Sequence, residues 1–177
     1  VDDGDVLRHG AGGHREGAGH ETAPREALLV LTMLNHPALI LAHAEDIAEI
    51  EVHGEPLRRL KEAALAAMAD AAPLDSAGLA HHLSKLGLED ALSLVARANT
   101  HRSDRFAEPD APPEVAAAGF RHLLALQRRR TLERELKEAE STYFRDESEA
   151  ALDELTAIRR LLDDALALDP DLVRETG

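Results

Sequence analysis

Apolar residues along this chain recur at helical intervals almost throughout. Leu28, Leu31 and Leu34 stand three apart and predict an apolar face on a helix beginning near Thr22, with Pro24 in its first turn. Asn35-His36-Pro37 interrupts it, because the residue before a proline is pushed out of the α region. Short helices are expected over about 37–42 and about 44–50, the second with Ile47 and Ile50 inward. Gly54 and Pro56 mark a turn into a helix over about 57–71, with Leu57, Leu60, Ala64, Leu65 and Met68 on its buried side. Asp75-Ser76 suits a helix start, and Gly87 a helix stop, around an element at about 76–86. A further helix over about 89–99 would turn Leu92, Val95 and Ala96 inward. Residues 100–112 are polar and rich in proline, which marks the clearest internal boundary. Beyond it, 113–145 reads as one long helix. A turn near 146–148 leads to a last helix over about 148–168, before Pro170.

Two seams stand out in that last third. Leu132, Leu136, Ala139 and Tyr143 step by four, three and four. Ala151, Leu155, Ile158, Leu162 and Ala165 step by four, three, four and three. Heptad spacing on consecutive helices predicts an antiparallel hairpin. The expected fold is therefore all-α: a compact helical bundle, then a long helix and a C-terminal hairpin. Its parts would be a flexible linker (1–21), a bundle (22–111) able to fold by itself, a hairpin (112–169) moving relative to the bundle, and an acidic tail (170–177).

Composition agrees with this reading. Leu and Ala dominate the apolar residues, and both favour helices. There is no Cys and no Trp, so disulfides, zinc-thiolate sites and thiol nucleophiles are excluded. The formal net charge of −14 opposes phosphate backbones and argues against general nucleic-acid binding. No apolar run is long enough for a membrane span and no signal peptide is visible, so the cytoplasm is the expected compartment. The chain opens on Val and a glycine-rich polar stretch, as a fragment of a longer protein would.

Little in the sequence carries chemistry. No phosphate-binding glycine loop occurs. Linker histidines His9, His14 and His20 are ordinary in such a segment. Glu49 and His53 have helix-face spacing, but no second pair supports them as metal ligands, and His81-His82 would diverge by about 100° on a helix. No nucleophile is singled out, so no catalytic residue and no cofactor is expected. Arg128-Arg129-Arg130, with Arg121 and Arg134 nearby, is the only basic cluster, and a solvated face balanced by Glu133 and Glu135 accounts for it.

The run from Arg25 to Pro37 (REALLVLTMLNHP) resembles the opening of the helicase-binding C-terminal region of bacterial DNA primases. His43–Ile50, the helix through Leu57–Leu65, the Leu83–Leu88 segment closing on Gly87 and the terminal hairpin follow in the same order, so the resemblance spans about 24–168. It implies a protein–protein interaction module that docks on the N-terminal domain of the hexameric replicative helicase, without catalysis, small-molecule substrate or membrane contact of its own. The zinc-binding and polymerase domains of a primase would lie upstream. A two-helix hairpin has little core, so apolar residues beyond its seam become candidate anchors. Phe144, Leu152, Leu161, Leu166 and Leu168 are of that kind, and Tyr143, Leu155, Arg159 and Leu162 complete the candidate contact set, with Phe144 and Leu161 as its leading pair. Two alternatives remain: the helicase's own N-terminal domain, and a small helical enzyme or metal-binding domain.

Overall fold

The computed structural model describes residues 24–70, 74–98 and 102–168. The expected linker, the Thr22 helix start and the acidic tail lie outside these residues. Among the described residues all regular structure is helical: α1 (Pro24–Asn35), α2 (Ala38–Ala42), α3 (Ala44–Glu49), α4 (Glu55–Asp70), α5 (Ser76–Lys85), α6 (Glu89–Val95), a 3-10 turn at Arg102–Ala107, α7 (Pro113–Asp146) and α8 (Glu149–Leu168).

The centre of the fold is α1. Every residue from Glu26 to Leu34 is buried, not only the Leu28–Leu31–Leu34 stripe. A helix apolar on all sides must be covered on all sides, and α4, α5, α6, α7 and the 3-10 turn all pack on this one. The one hydroxyl inside it, on Thr32, donates to the Leu28 carbonyl at 2.7 Å and so leaves no unmet polar group.

Local chemistry sets the ends of the surrounding helices. The Asp75 carboxylate accepts from the Gly78 amide at 2.7 Å and caps the start of α5. At the other end Gly87 takes φ +73°. Its amide donates to the Ser84 carbonyl at 2.9 Å, and that of Leu88 donates to the Leu83 carbonyl at 3.2 Å. This is a Schellman stop, with Leu88 turned back into the core. α6 ends at Val95, earlier than the expected 99, and Ala96 is exposed rather than packed inward.

The expected boundary at 100–112 is not a boundary in the structure. The Asn35 side chain donates to the Ala107 carbonyl at 2.7 Å, and the His36 Nε2 lies 2.9 Å from the Glu108 carbonyl. The helix-breaking Asn-His-Pro run thus fastens the distal segment beneath α1. Ala107 is fully buried, and Phe106 packs on α7 at Gly119, where a Cβ would fall on its ring.

The first half of α7 belongs to the same core. Ala116, Phe120, Leu123 and Leu124 join the cluster built around α1, and the Phe120 ring meets His43 at 5.7 Å between centroids. The division between bundle and hairpin therefore falls inside α7, near Gln127, and not at 111. A polar, proline-rich stretch ordinarily joins units; here, proline at the first helical position starts a helix. A chain ending at Ala111 would leave out Ala116, Phe120, Leu123 and Leu124, which complete the core around α1.

Gly119 is the position where this packing is least forgiving. Alanine would favour the helix by about 0.8–1.0 kcal/mol, whereas forcing atoms into a filled core costs about 1–3 kcal/mol. The obstructing atoms include Cβ and Cγ of Phe106, close to its backbone rather than at a flexible end. We therefore expect Gly119→Ala to lower stability by about 1–2 kcal/mol in urea unfolding; an unchanged or raised midpoint would show that the turn yields freely.

Candidate partner-docking surface

Two features of α7 define the outer surface: the polar seat where it leaves the bundle, and the hairpin it makes with α8. The seat is built on Glu26, whose carboxylate is only 3% exposed. It accepts from the His53 amide at 2.6 Å and from Gln127 Nε2 at 3.3 Å, and the His53 Nδ1 lies 2.9 Å away. Gln127 also donates to the Glu51 carbonyl at 2.8 Å. A carboxylate buried this deeply is tolerable only when it is hydrogen-bonded. The same bonds join α1, the 51–53 segment and α7. Beside it Arg134 reaches the Glu51 carboxylate at 2.6 Å and holds that carboxyl below the usual carboxylate range. Lys61 donates to the Ala48 and Ile50 carbonyls at 3.3 and 2.6 Å, closing the end of α3, and burial pushes its ammonium down.

Sequence reading missed this seat. The available signal was a single carboxylate inside an otherwise apolar run, Glu26 before Ala27-Leu28-Leu29-Val30-Leu31. His53 serves Glu26 and not a Glu49 pair, and Glu49 is exposed. Among the described residues no group of three or more His, Asp or Glu side chains is placed to hold a metal ion. In the arginine run Arg129 pairs with Glu133 at 2.7 Å, and Arg134 pairs with Glu51 and, at 3.8 Å, with Glu138.

The hairpin follows its two seams. Leu132 and Ala139 of α7 and Ala151 and Leu155 of α8 are buried. Leu136, Tyr143, Ile158, Leu162 and Ala165 are half-buried. The reversal takes two residues. Glu147 adopts a left-handed conformation (φ 44°) and donates its amide to the Tyr143 carbonyl at 2.8 Å. The Ser148 hydroxyl accepts from the Ala151 amide at 3.2 Å and starts α8. Arg159 then meets Glu140 of α7 at 3.0 Å, which fixes α8 as running back along α7.

That ion pair also sorts the candidate anchors by side. Glu140 follows the seam residue Ala139, and Arg159 follows Ile158. Each therefore stands about 100° past its seam, on a flank the two helices share. Phe144 follows Tyr143, Leu152 follows Ala151, and Leu166 follows Ala165, so all three lie on this flank. Leu161 precedes the seam residue Leu162 and lies on the opposite one. Phe144 is 79% exposed, Leu152 44% and Leu161 49%, while Leu166 is half-buried. The Tyr143 and Phe144 rings lie 6.1 Å apart between centroids.

Phe144 and Leu161 stand on opposite flanks, with the hairpin's own seam between them. Two of the candidate contacts change accordingly. Leu155, 4% exposed, holds α8 on α7 and presents nothing to a partner. Arg159 is committed to Glu140 rather than standing free. The Leu168 side chain lies outside the described residues. The bundle also exposes Leu41, Leu86, Leu94 and Val115, which seam reasoning did not single out.

Compared with protein-family models, curated proteins and solved structures, the chain matches none. No helix among the described residues is long and apolar enough to cross a membrane.

The seat predicts a pH signature. A carboxyl held below its ordinary range adds stability in full above that range, and loses it as pH falls through the lowered folded-state value. We expect Glu51→Gln to lower neutral stability slightly, since the pair is exposed, and the deficit to close as pH falls, so that the acid side of the stability–pH curve flattens by the same small amount. Gln127→Ala should cost about 1–3 kcal/mol at neutral pH, because it strips a donor from a buried carboxylate. Calorimetric unfolding from pH 3 to 7 checks both, and a Glu51→Gln curve parallel to wild type would contradict the assignment.

Proposed function

We propose that this chain is the helicase-docking C-terminal region of a bacterial-type DNA primase, an interaction module that couples primer synthesis to DNA unwinding. The observation that carries the proposal is an exposed aromatic and an exposed leucine, Phe144 and Leu152, on one flank at the end of a helical hairpin. The hairpin is carried by a helix of 34 residues, about 51 Å long. The bundle helices have 16 residues or fewer, so α7 carries the tip beyond them. Small interfaces take most of their energy from a few such side chains.

The sequence resemblance supports the same reading. The Asn35-His36-Pro37 run has a structural task, ending α1 and fastening the 107–108 carbonyls, so its place in the pattern has a physical reason. On this reading the partner is the N-terminal domain of the replicative helicase, the compartment is the cytoplasm, and the catalytic domains of the primase belong to other parts of the parent protein. The acidic surface disfavours a direct grip on DNA.

Isothermal titration of the chain into the isolated helicase N-terminal domain tests the proposal. We expect saturable binding, and no primer synthesis by the chain on a single-stranded template. Absence of binding at high micromolar concentration, or template-dependent nucleotide incorporation, would overturn it.

A further inference from the structure

We infer that the flank bearing Phe144 and Leu152 is the docking face of the hairpin, and that it fits a protein partner whose apolar pocket is rimmed with Lys and Arg. This rests on the docking reading above and adds to it the side of contact and the partner's chemistry.

The flank is apolar at its centre and borders an acidic tip. Between Phe144 and Thr156 the chain carries five acidic side chains against the single base Arg145: Asp146 and Glu147 at the turn, Glu149 and Asp153 on the outer side of α8, and Glu154, which precedes Leu155, on the Leu161 flank. Arg145 is itself held by Asp146 at 2.9 Å. Glu147, Glu149, Asp153 and Glu154 are all exposed, and no ion pair is seen for them among the described residues. The tip thus presents two hydrophobic anchors inside a field of uncompensated negative charge.

That field selects the occupant. A second copy of this chain would bring an equally acidic tip against the first, and like charges brought together at an interface oppose association. An anionic lipid surface or a nucleic acid is repelled for the same reason. A pocket ringed by cations gains on both counts, because its apolar floor takes Phe144 and Leu152 while its rim meets the carboxylates. Such rim charges act mainly on the association rate and weaken with salt. The opposite flank offers Leu161 with no large apolar neighbour at the tip.

Full-length chains carrying Phe144→Ser, Leu152→Ser, Leu161→Ser, or Glu149→Lys with Asp153→Lys test the inference. All these positions are exposed, so circular dichroism should show unchanged helicity. Against the helicase N-terminal domain, we expect Phe144→Ser and Leu152→Ser each to weaken binding by roughly tenfold or more, and Leu161→Ser by less than about twofold. The double lysine variant should associate at least about fivefold more slowly at low salt, with the difference shrinking at high salt. Equal losses on both flanks, or rates indifferent to salt and charge reversal, would overturn the inference while leaving helicase docking intact.

A second arm separates it from the helicase reading altogether. A synthetic helical peptide with a leucine stripe bordered by lysines should bind the wild-type chain and lose binding with Phe144→Ser and Leu152→Ser, but not with Leu161→Ser. Its glutamate-bordered counterpart should not bind. If the helicase domain fails to bind but the peptide behaves in this way, the helicase reading falls and the docking face stands. Peptide binding that ignores both tip substitutions, or no peptide binding, overturns the docking face. So does a concentration-dependent dimer in sedimentation that Phe144→Ser abolishes, which would mean that a second copy is the occupant.

Discussion

The fold depends on the enclosure of one short helix. α1 is apolar on every side from Ala27 to Leu34, apart from the internally satisfied Thr32, so no single neighbour can cover it. Full burial of side chains such as Leu29, Val30 and Met33 is worth about 1.5–3 kcal/mol each, far more than the few tenths that helix propensity contributes per residue. The chain therefore arranges its other elements around α1. The covering pieces are individually weak. α2, α3 and α6 have 5, 6 and 7 residues, lengths at which an isolated helix does not persist in water. They hold their shape because each closes part of the same surface.

Glu26 shows how the enclosure is made specific. Apolar contact alone would let α7 slide or rotate against α1. A carboxylate placed at the start of α1 admits only the arrangement in which Gln127 and the His53 amide reach it. Lys61 acts in a similar way at the end of α3, where its ammonium binds two backbone carbonyls. Both groups are buried and expensive to mispair, so they exclude alternative packings that the leucine-rich core would otherwise tolerate.

Elements set by local pattern were legible in the sequence, and those set by distant contacts were not. The heptad steps through Leu132–Tyr143 and Ala151–Ala165 fixed both seams, because side-chain spacing on a helix decides which side is apolar. Asp75, Gly87 and the 146–148 turn marked ends through backbone chemistry that acts within a few residues. The role of Phe120 could not be read in the same way. It sits in α7 with no marker distinguishing it from the hairpin residues that follow, and only the α1 surface it covers gives it away. The polar stretch 102–112 misled for the complementary reason. Its backbone carbonyls, not its side chains, bind Asn35 and His36, and backbone acceptors leave no trace in a residue pattern. The anchors were half legible: exposure of Phe144, Leu152 and Leu161 followed from the seams, but sorting them by flank needed the Glu140–Arg159 contact.

Because α7 is continuous through both parts, it works as a lever. Its short arm is clamped among α1, Phe106 and Gly119, and its fulcrum is the Gln127 seat. From Gln127 to the turn at Asp146 the long arm measures about 28 Å, so a rotation of about 10° at the seat sweeps the tip through roughly 5 Å. With the segment around Phe120 held in the core, a bend of that size at the seat carries Phe144 through about the width of a side chain, and a force at the tip acts on the buried Glu26 seat through an arm of about 28 Å.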